Sequence, residues 1–185
     1  MALDINYKKP TSNKEALNLV MFVDEKFNIS SLKKHILSDQ YSYIADLLKT
    51  TDKKKKIISF EFSSKKKIIL VSISKNLKGS DTENLGAKLY QHLKKNNQNI
   101  VTINTDIVPS KLKNFMGHFL HGMRLKSYIF QKYKSKKELK KISVNIIGKN
   151  KPSKKDQIKF KAIEDGTFFA RDLVSEPGNI LHPDE

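Results

Sequence analysis

Apolar positions along this chain repeat with two periods, and each change of period marks an element. Leu17 to Val23 is mostly apolar and short, which predicts a buried first strand. Ser30 to Lys49 holds two short helical stretches, around Leu32–Leu37 and Tyr43–Leu48. Ile58, Phe60 and Phe62 alternate with Ser59 and Glu61, a strand with one wet face. Ser63-Ser64-Lys65-Lys66 is a polar turn, and Ile68 to Ile73 is almost continuously apolar. Those two strands and their turn predict a hairpin, with Ile68–Ile73 central in the sheet.

Helical spacing dominates the middle of the chain. Ser80-Asp81-Thr82-Glu83 has the spacing of a capping box, and Leu85, Leu89 and Leu93 follow on one stripe. Asn99 to Asn104 reads as a short strand. Pro109-Ser110 opens the clearest helix, whose Leu112, Phe115, Met116, Phe119, Leu120 and Met123 cover one face. Ser127 to Gln131 reads as a strand, and Ile142, Val144 and Ile146 as another. Lys149 to Lys155 is a polar linker containing Pro, and Lys154 to Val174 a long last helix stopped before Pro177. Two apolar lines run along that helix: Ile158, Ala162, Phe169 and Leu173, then Ile163, Ala170 and Val174. Such breadth suits burial from two sides. Gly166, costly inside a helix, predicts that another backbone passes close to it. The order of elements gives an α/β fold, a mixed β-sheet sandwiched by helices.

Composition narrows the class. A chain of 185 residues is one domain, or one domain with a tail, and can bury a core without staples. It has no Cys, so disulfides and thiolate metal sites are excluded. Residues 1 to 15 carry no apolar signal segment, and no run approaches the ~18 apolar residues of a membrane span. The expectation is a cytoplasmic protein with no membrane contact. Lys and Arg number 36 against 19 Asp and Glu, a net charge of +17. Only Arg124 and Arg171 are Arg. Base reading and bidentate phosphate contacts favour Arg, so a Lys excess predicts at most weak, unspecific contact with nucleic acid.

Candidate chemistry is sparse. His118 and His121 stand at i, i+3 on the Ser110 helix and could share a metal. A helical wheel turns both away from the apolar stripe, toward solvent, and no carboxylate joins them at helical spacing. Closed zinc sites need more ligands than this pair, and His35, His92 and His182 lie on other elements. The seven Gly (79, 86, 117, 122, 148, 166 and 178) are isolated, so no Gly-rich phosphate cradle is available for a nucleotide. Lys53–Lys56 and Lys65–Lys67 flank one predicted strand, which holds them ~20 Å apart at opposite ends. Lys132, Lys134, Lys136 and Lys137 lie around Phe130 and Tyr133, a mix compatible with single-stranded nucleic acid or with a plain solvated edge. No Ser has a His and an acid at a spacing that proposes a nucleophile. The expected site residues are therefore none: none catalytic, none binding a cofactor, none holding a metal.

Three stretches carry a resemblance. Ala170-Arg171-Asp172-Leu173-Val174-Ser175-Glu176-Pro177-Gly178-Asn179-Ile180-Leu181-His182-Pro183 closely resembles the segment joining the two domains of leucyl aminopeptidases, the cytosol aminopeptidase family of metallopeptidases. Gly122 to Lys134, with its Tyr128-x-Phe130-x-x-Tyr133-Lys134 pattern, is similar to the family's passage out of a helix. Lys67-Ile68-Ile69-Leu70-Val71 resembles its central strand, although Ser72-Ile73-Ser74-Lys75 stands where the family has Gly-Leu-Gly-Lys. The resemblance implies a macro-domain-like, non-catalytic N-terminal domain over residues 1–150, a linker helix over 151–174, and the start of an absent catalytic peptidase domain over 175–185. It further implies two divalent metals, Zn or Mn, in that absent domain, and a homo-hexamer in which this region packs on its own catalytic domain. Peptide substrate would not touch this region. Asn104-Thr105-Asp106 repeats the opening of the family's metal signature, but Ile107-Val108-Pro109 follows, so the second carboxylate is missing and Asp106 reads as the end of a strand. The alternative is a stand-alone basic module that binds nucleic acid or another acidic partner.

Overall fold

A computed structural model describes residues 3–7, 16–108, 114–135, 140–178 and 180. Its strands are β1 (Leu3–Tyr7), β2 (Asn18–Asp24), β3 (Ile57–Glu61), β4 (Lys67–Ile73), β5 (Ile100–Asn104) and β6 (Ile142–Ile147). Its helices are α1 (Ser38–Thr50), α2 (Gly79–Lys95), α3 (Phe115–Lys126) and α4 (Lys154–Ser175), with a short 3-10 turn at Ser30–Lys34. The strands form one sheet in the order β1-β6-β5-β2-β4-β3. All neighbours are parallel except β3 and β4, the antiparallel hairpin expected around Ser63–Lys66. The fold is mixed α/β.

Alternation along β2 and β4 feeds two cores, one on each face of the sheet. Val20, Phe22, Ile69 and Val71 face α2 and α3, where Leu89, Leu93, Phe119 and Met123 close over them. Phe115 and Phe119 both meet the Phe22 ring edge-on, with centroids 5.3 Å away. Leu19, Met21, Ile68 and Leu70 face the other way, against Leu32, Ile36, Ile44 and Leu48. Strands buried on both faces need no polar alternation, which is why these two read as unbroken apolar runs.

α2 and α3 touch backbone to backbone. A Cβ on Gly86 would lie 2.0 Å from the Phe119 carbonyl oxygen, and one on Gly122 would lie 1.9 Å from that of Glu83. Two glycines on facing helices thus remove the side chains that would hold the axes apart.

Several expected elements differ. Leu17–Val23 does not hold the first strand: β1 precedes it and pairs with β6, Leu3 opposite Ile142. Ser127–Gln131 is a loop after α3, its aromatic side chains turned onto neighbouring groups rather than into a ladder. α2 starts at Gly79, before the predicted box; the Asp81 carboxylate accepts the Lys78 N–H at 3.2 Å. The Pro109-Ser110 start lies outside the described residues. From Phe115 the helix runs as expected, entered through Asn114 in the left-handed region at φ 53°.

Candidate functional site

The seam between α3 and α4 gathers two of the chain's five histidines and the buried Glu164 carboxylate. α3 uses one stripe for the sheet, which leaves Gly117, His118 and His121 on its other side. Helix α4 covers that side with Phe160, Glu164 and Phe168. The Phe160 ring sits on Gly117, where a Cβ would come within 2.5 Å of it, and lies 5.1 Å from His118 and 5.0 Å from His121. His121 Nδ1 is 3.0 Å from Glu164 Oε1, and Arg124 Nε is 3.4 Å from Glu164 Oε2. His118 Nδ1 is 2.7 Å from Glu83 Oε1 on α2.

This arrangement corrects the placement of both histidines. Neither faces open solvent: His121 is buried and His118 half-buried. A wheel sees one helix, and the covering surface comes from another. The carboxylates missing at helical spacing arrive from α2 and α4, one for each ring, and they draw the two histidines to different partners. Among the described residues no three His, Asp or Glu side chains converge as a metal cage. The donor set does not fit the two-metal centre that the resemblance implies elsewhere. A cavity of about 260 Å³ adjoins the seam, lined by Tyr7, His121, Arg124, Phe160 and Glu164. Burial there pushes the Tyr7 hydroxyl up from its usual range; Arg124 pulls it down and Glu164 adds to the rise.

The remaining histidines are elsewhere. His35 Nδ1 is 3.2 Å from the Asn104 amide nitrogen, and His92 Nε2 is 2.6 Å from the Ser59 hydroxyl. His182 is outside the described residues. Asp106 sits just past β5, where its Oδ1 accepts the Lys149 N–H at 2.8 Å and closes the turn at Gly148, φ 99°. Of the two lysine runs, Lys53–Lys56 precede β3, while Lys65 and Lys66 follow it and Lys67 opens β4.

A larger crevice, about 730 Å³, opens where β2 and β4 end. Asp24, Asn28, Ser30, Ser74 and Lys75 rim it above Phe22 and Ile73. This is the switch point of the sheet, where open α/β folds place ligands. The Asp24 carboxylate is already committed: its Oδ1 accepts the N–H groups of Lys26 and Asn28 at 3.1 and 2.8 Å.

The two longer resemblance stretches meet at the foot of α4, through residue pairs more than 40 positions apart in sequence. Tyr128 donates its hydroxyl to Asp172 at 2.7 Å and stacks on Phe168. Arg171 lies over the Tyr128 ring and donates to the Leu125 carbonyl at 2.8 Å. Lys132 donates to Glu176 at 2.6 Å, and Tyr133 donates to the other oxygen of the same carboxylate. Lys132 first, then Tyr133, hold the Glu176 carboxyl below its ordinary range. Lys132 and Tyr133, which in sequence suit a stacked nucleic acid, are thus a clasp on Glu176 at the end of α4, with Phe130 against the Tyr133 ring. The aromatic spacing and the Glu-Pro-Gly were legible; their meeting was not, because nothing local pairs position 133 with 176.

No family model matches the sequence. The chain is 30% identical over 172 residues to a protein of Clostridium perfringens called a probable cytosol aminopeptidase, covering 88% of this chain and 33% of that protein. A probable cytosol aminopeptidase of Nitrobacter winogradskyi is 30% identical over 128 residues, 64% of this chain and 25% of the relative. The chain thus spans a third or less of the length of these curated relatives. Among solved structures, a tomato leucine aminopeptidase variant superposes with a TM-score of 0.72 at 17% identity, over 98% of this chain and 40% of that one. That likeness shows the fold.

Proposed function

Because the chain belongs to the leucyl, or cytosol, aminopeptidase family and corresponds to its N-terminal domain, we propose that it is the non-catalytic part of a metallopeptidase. The whole protein would release N-terminal residues from peptides, with two divalent metals, Zn or Mn, held outside this chain. It would work in the cytoplasm as a homo-hexamer. The domain's part is to pack against its own catalytic domain and shape access to it. One observation carries the reading: the resemblance stretches that are far apart in sequence converge on one clasp at the end of α4. Residues that matter for where a helix ends matter most when further chain is to be aimed from it.

The rival, a basic module for nucleic acid, draws support from the net charge of +17. Its contacts would be lysine to phosphate, and such affinity falls steeply with salt. The deciding experiment is a leucine chromogenic amide assay with manganese or zinc, run on this chain alone and on the product of its coding frame read past Glu185. The expected result is silence from the chain and turnover from the longer product. Turnover that follows the isolated chain through purification would refute the proposal.

A further inference from the structure

Helix α4 is held to the body along one arc only. Phe160, Glu164 and Phe168 are buried, whereas Ile158, Phe169 and Val174 are 70%, 65% and 88% exposed. The two apolar lines that predict burial are thus the bare ones. Ala162 of the first line, then Gly166, then Ala170 of the second line repeat every fourth residue, all exposed. The result is a shallow groove floored by small residues and walled by large apolar ones.

Gly166 is the informative position. A Cβ built there meets nothing within 4 Å among the described residues. Glycine inside a helix costs stability, and nothing among the described residues gains from it. The same chain shows what such glycines do elsewhere: Gly86 and Gly122 let α2 and α3 meet at backbone distance. Helix α4 has the same provision, with no neighbour against it among the described residues.

We infer that the outer face of α4 seats one helix of the polypeptide that follows this region in the longer relatives, packed backbone to backbone at Gly166. The inference rests on the proposed function and names the surface by which the two parts join. The occupant is chosen on two grounds. The relatives carry at least two thirds of their length outside the matched region, 33% and 25% of each being covered. A second copy of a chain with net charge +17 would meet its own repulsion. An apolar face this continuous is otherwise rare on a surface left in water.

The test compares Gly166→Leu with Gly166→Ala in two settings. In this chain alone both variants should melt at or above the parent temperature and sediment as monomers, because the site is open. In the product of the coding frame read past Glu185, the α4 amides should gain about tenfold protection from hydrogen exchange over the isolated chain. Gly166→Leu should erase that gain, and Phe169→Lys should do the same from the groove wall. A continuing frame whose product keeps full protection with Leu at 166 overturns the inference and leaves the functional reading standing. A stop codon directly after Glu185 overturns both. Dimers of the isolated chain that Gly166→Leu dissociates would make a second copy the occupant and overturn the choice made here.

Discussion

At the scale of single residues, Glu164 is the most consequential side chain outside the apolar cores. It is 5% exposed and faces His121 and Arg124 together. Removing the buried carboxylate deprives His121 and Arg124 of the partner they share. Glu164→Ala should therefore cost about 2–4 kcal/mol in urea unfolding, with Glu164→Gln intermediate. A loss below half of that would mean that water replaces the carboxylate at the seam. His92 gives a pH signature. Burial, with Lys67 and Lys95 adding to it, lowers its pKa from the ordinary 6.5. The unfolded chain therefore takes up a proton at this position before the folded chain does. Its contribution to stability is complete above 6.5 and declines as pH falls below that value. The melting temperature of His92→Leu should drop less than the parent's between neutral and mildly acid pH. Equal drops in both would remove the effect from His92. These residues also mark the limit of a linear reading. His118 and His121 were visible as a pair, but Glu83 and Glu164 lie 35 and 43 positions from them, and only folding brings them close.

Among elements, the close pair α2 and α3 sets the geometry of everything on that face of the sheet. Gly122→Ala forces a methyl group into the Glu83 backbone and should cost about 2–3 kcal/mol, measured by denaturant unfolding. Gly166→Ala, on an open face, should instead gain up to about 1 kcal/mol in the isolated chain. Two glycines in two helices would thus move stability in opposite directions. Strand and helix periods were legible wherever burial is one- or two-sided in a regular way, as in β2, β4, α2 and α3. They failed where a neighbour decides. Leu3-Asp4-Ile5-Asn6-Tyr7 is short and half polar, and becomes a strand because β6 offers it an edge. Tyr128 to Gln131 has strand composition, yet its Tyr is taken by Phe168 and Asp172 and the segment stays a loop.

For the whole molecule, the sheet is a statement about time as much as shape. β1 precedes the other described strands and, among the described residues, pairs with β6 alone, in a register that joins Leu3 to Ile142 and Tyr7 to Ile146. β2 likewise lies between strands made after it, β4 and β5. Parallel pairings of such long sequence separation close late, because the loop must be restricted before any contact rewards it. During synthesis the first strand therefore waits, with Leu3 and Ile5 uncovered, until some 140 further residues have been made. Over that interval a net charge of +17 would set half-made chains against one another, since like charge opposes the meeting of open edges.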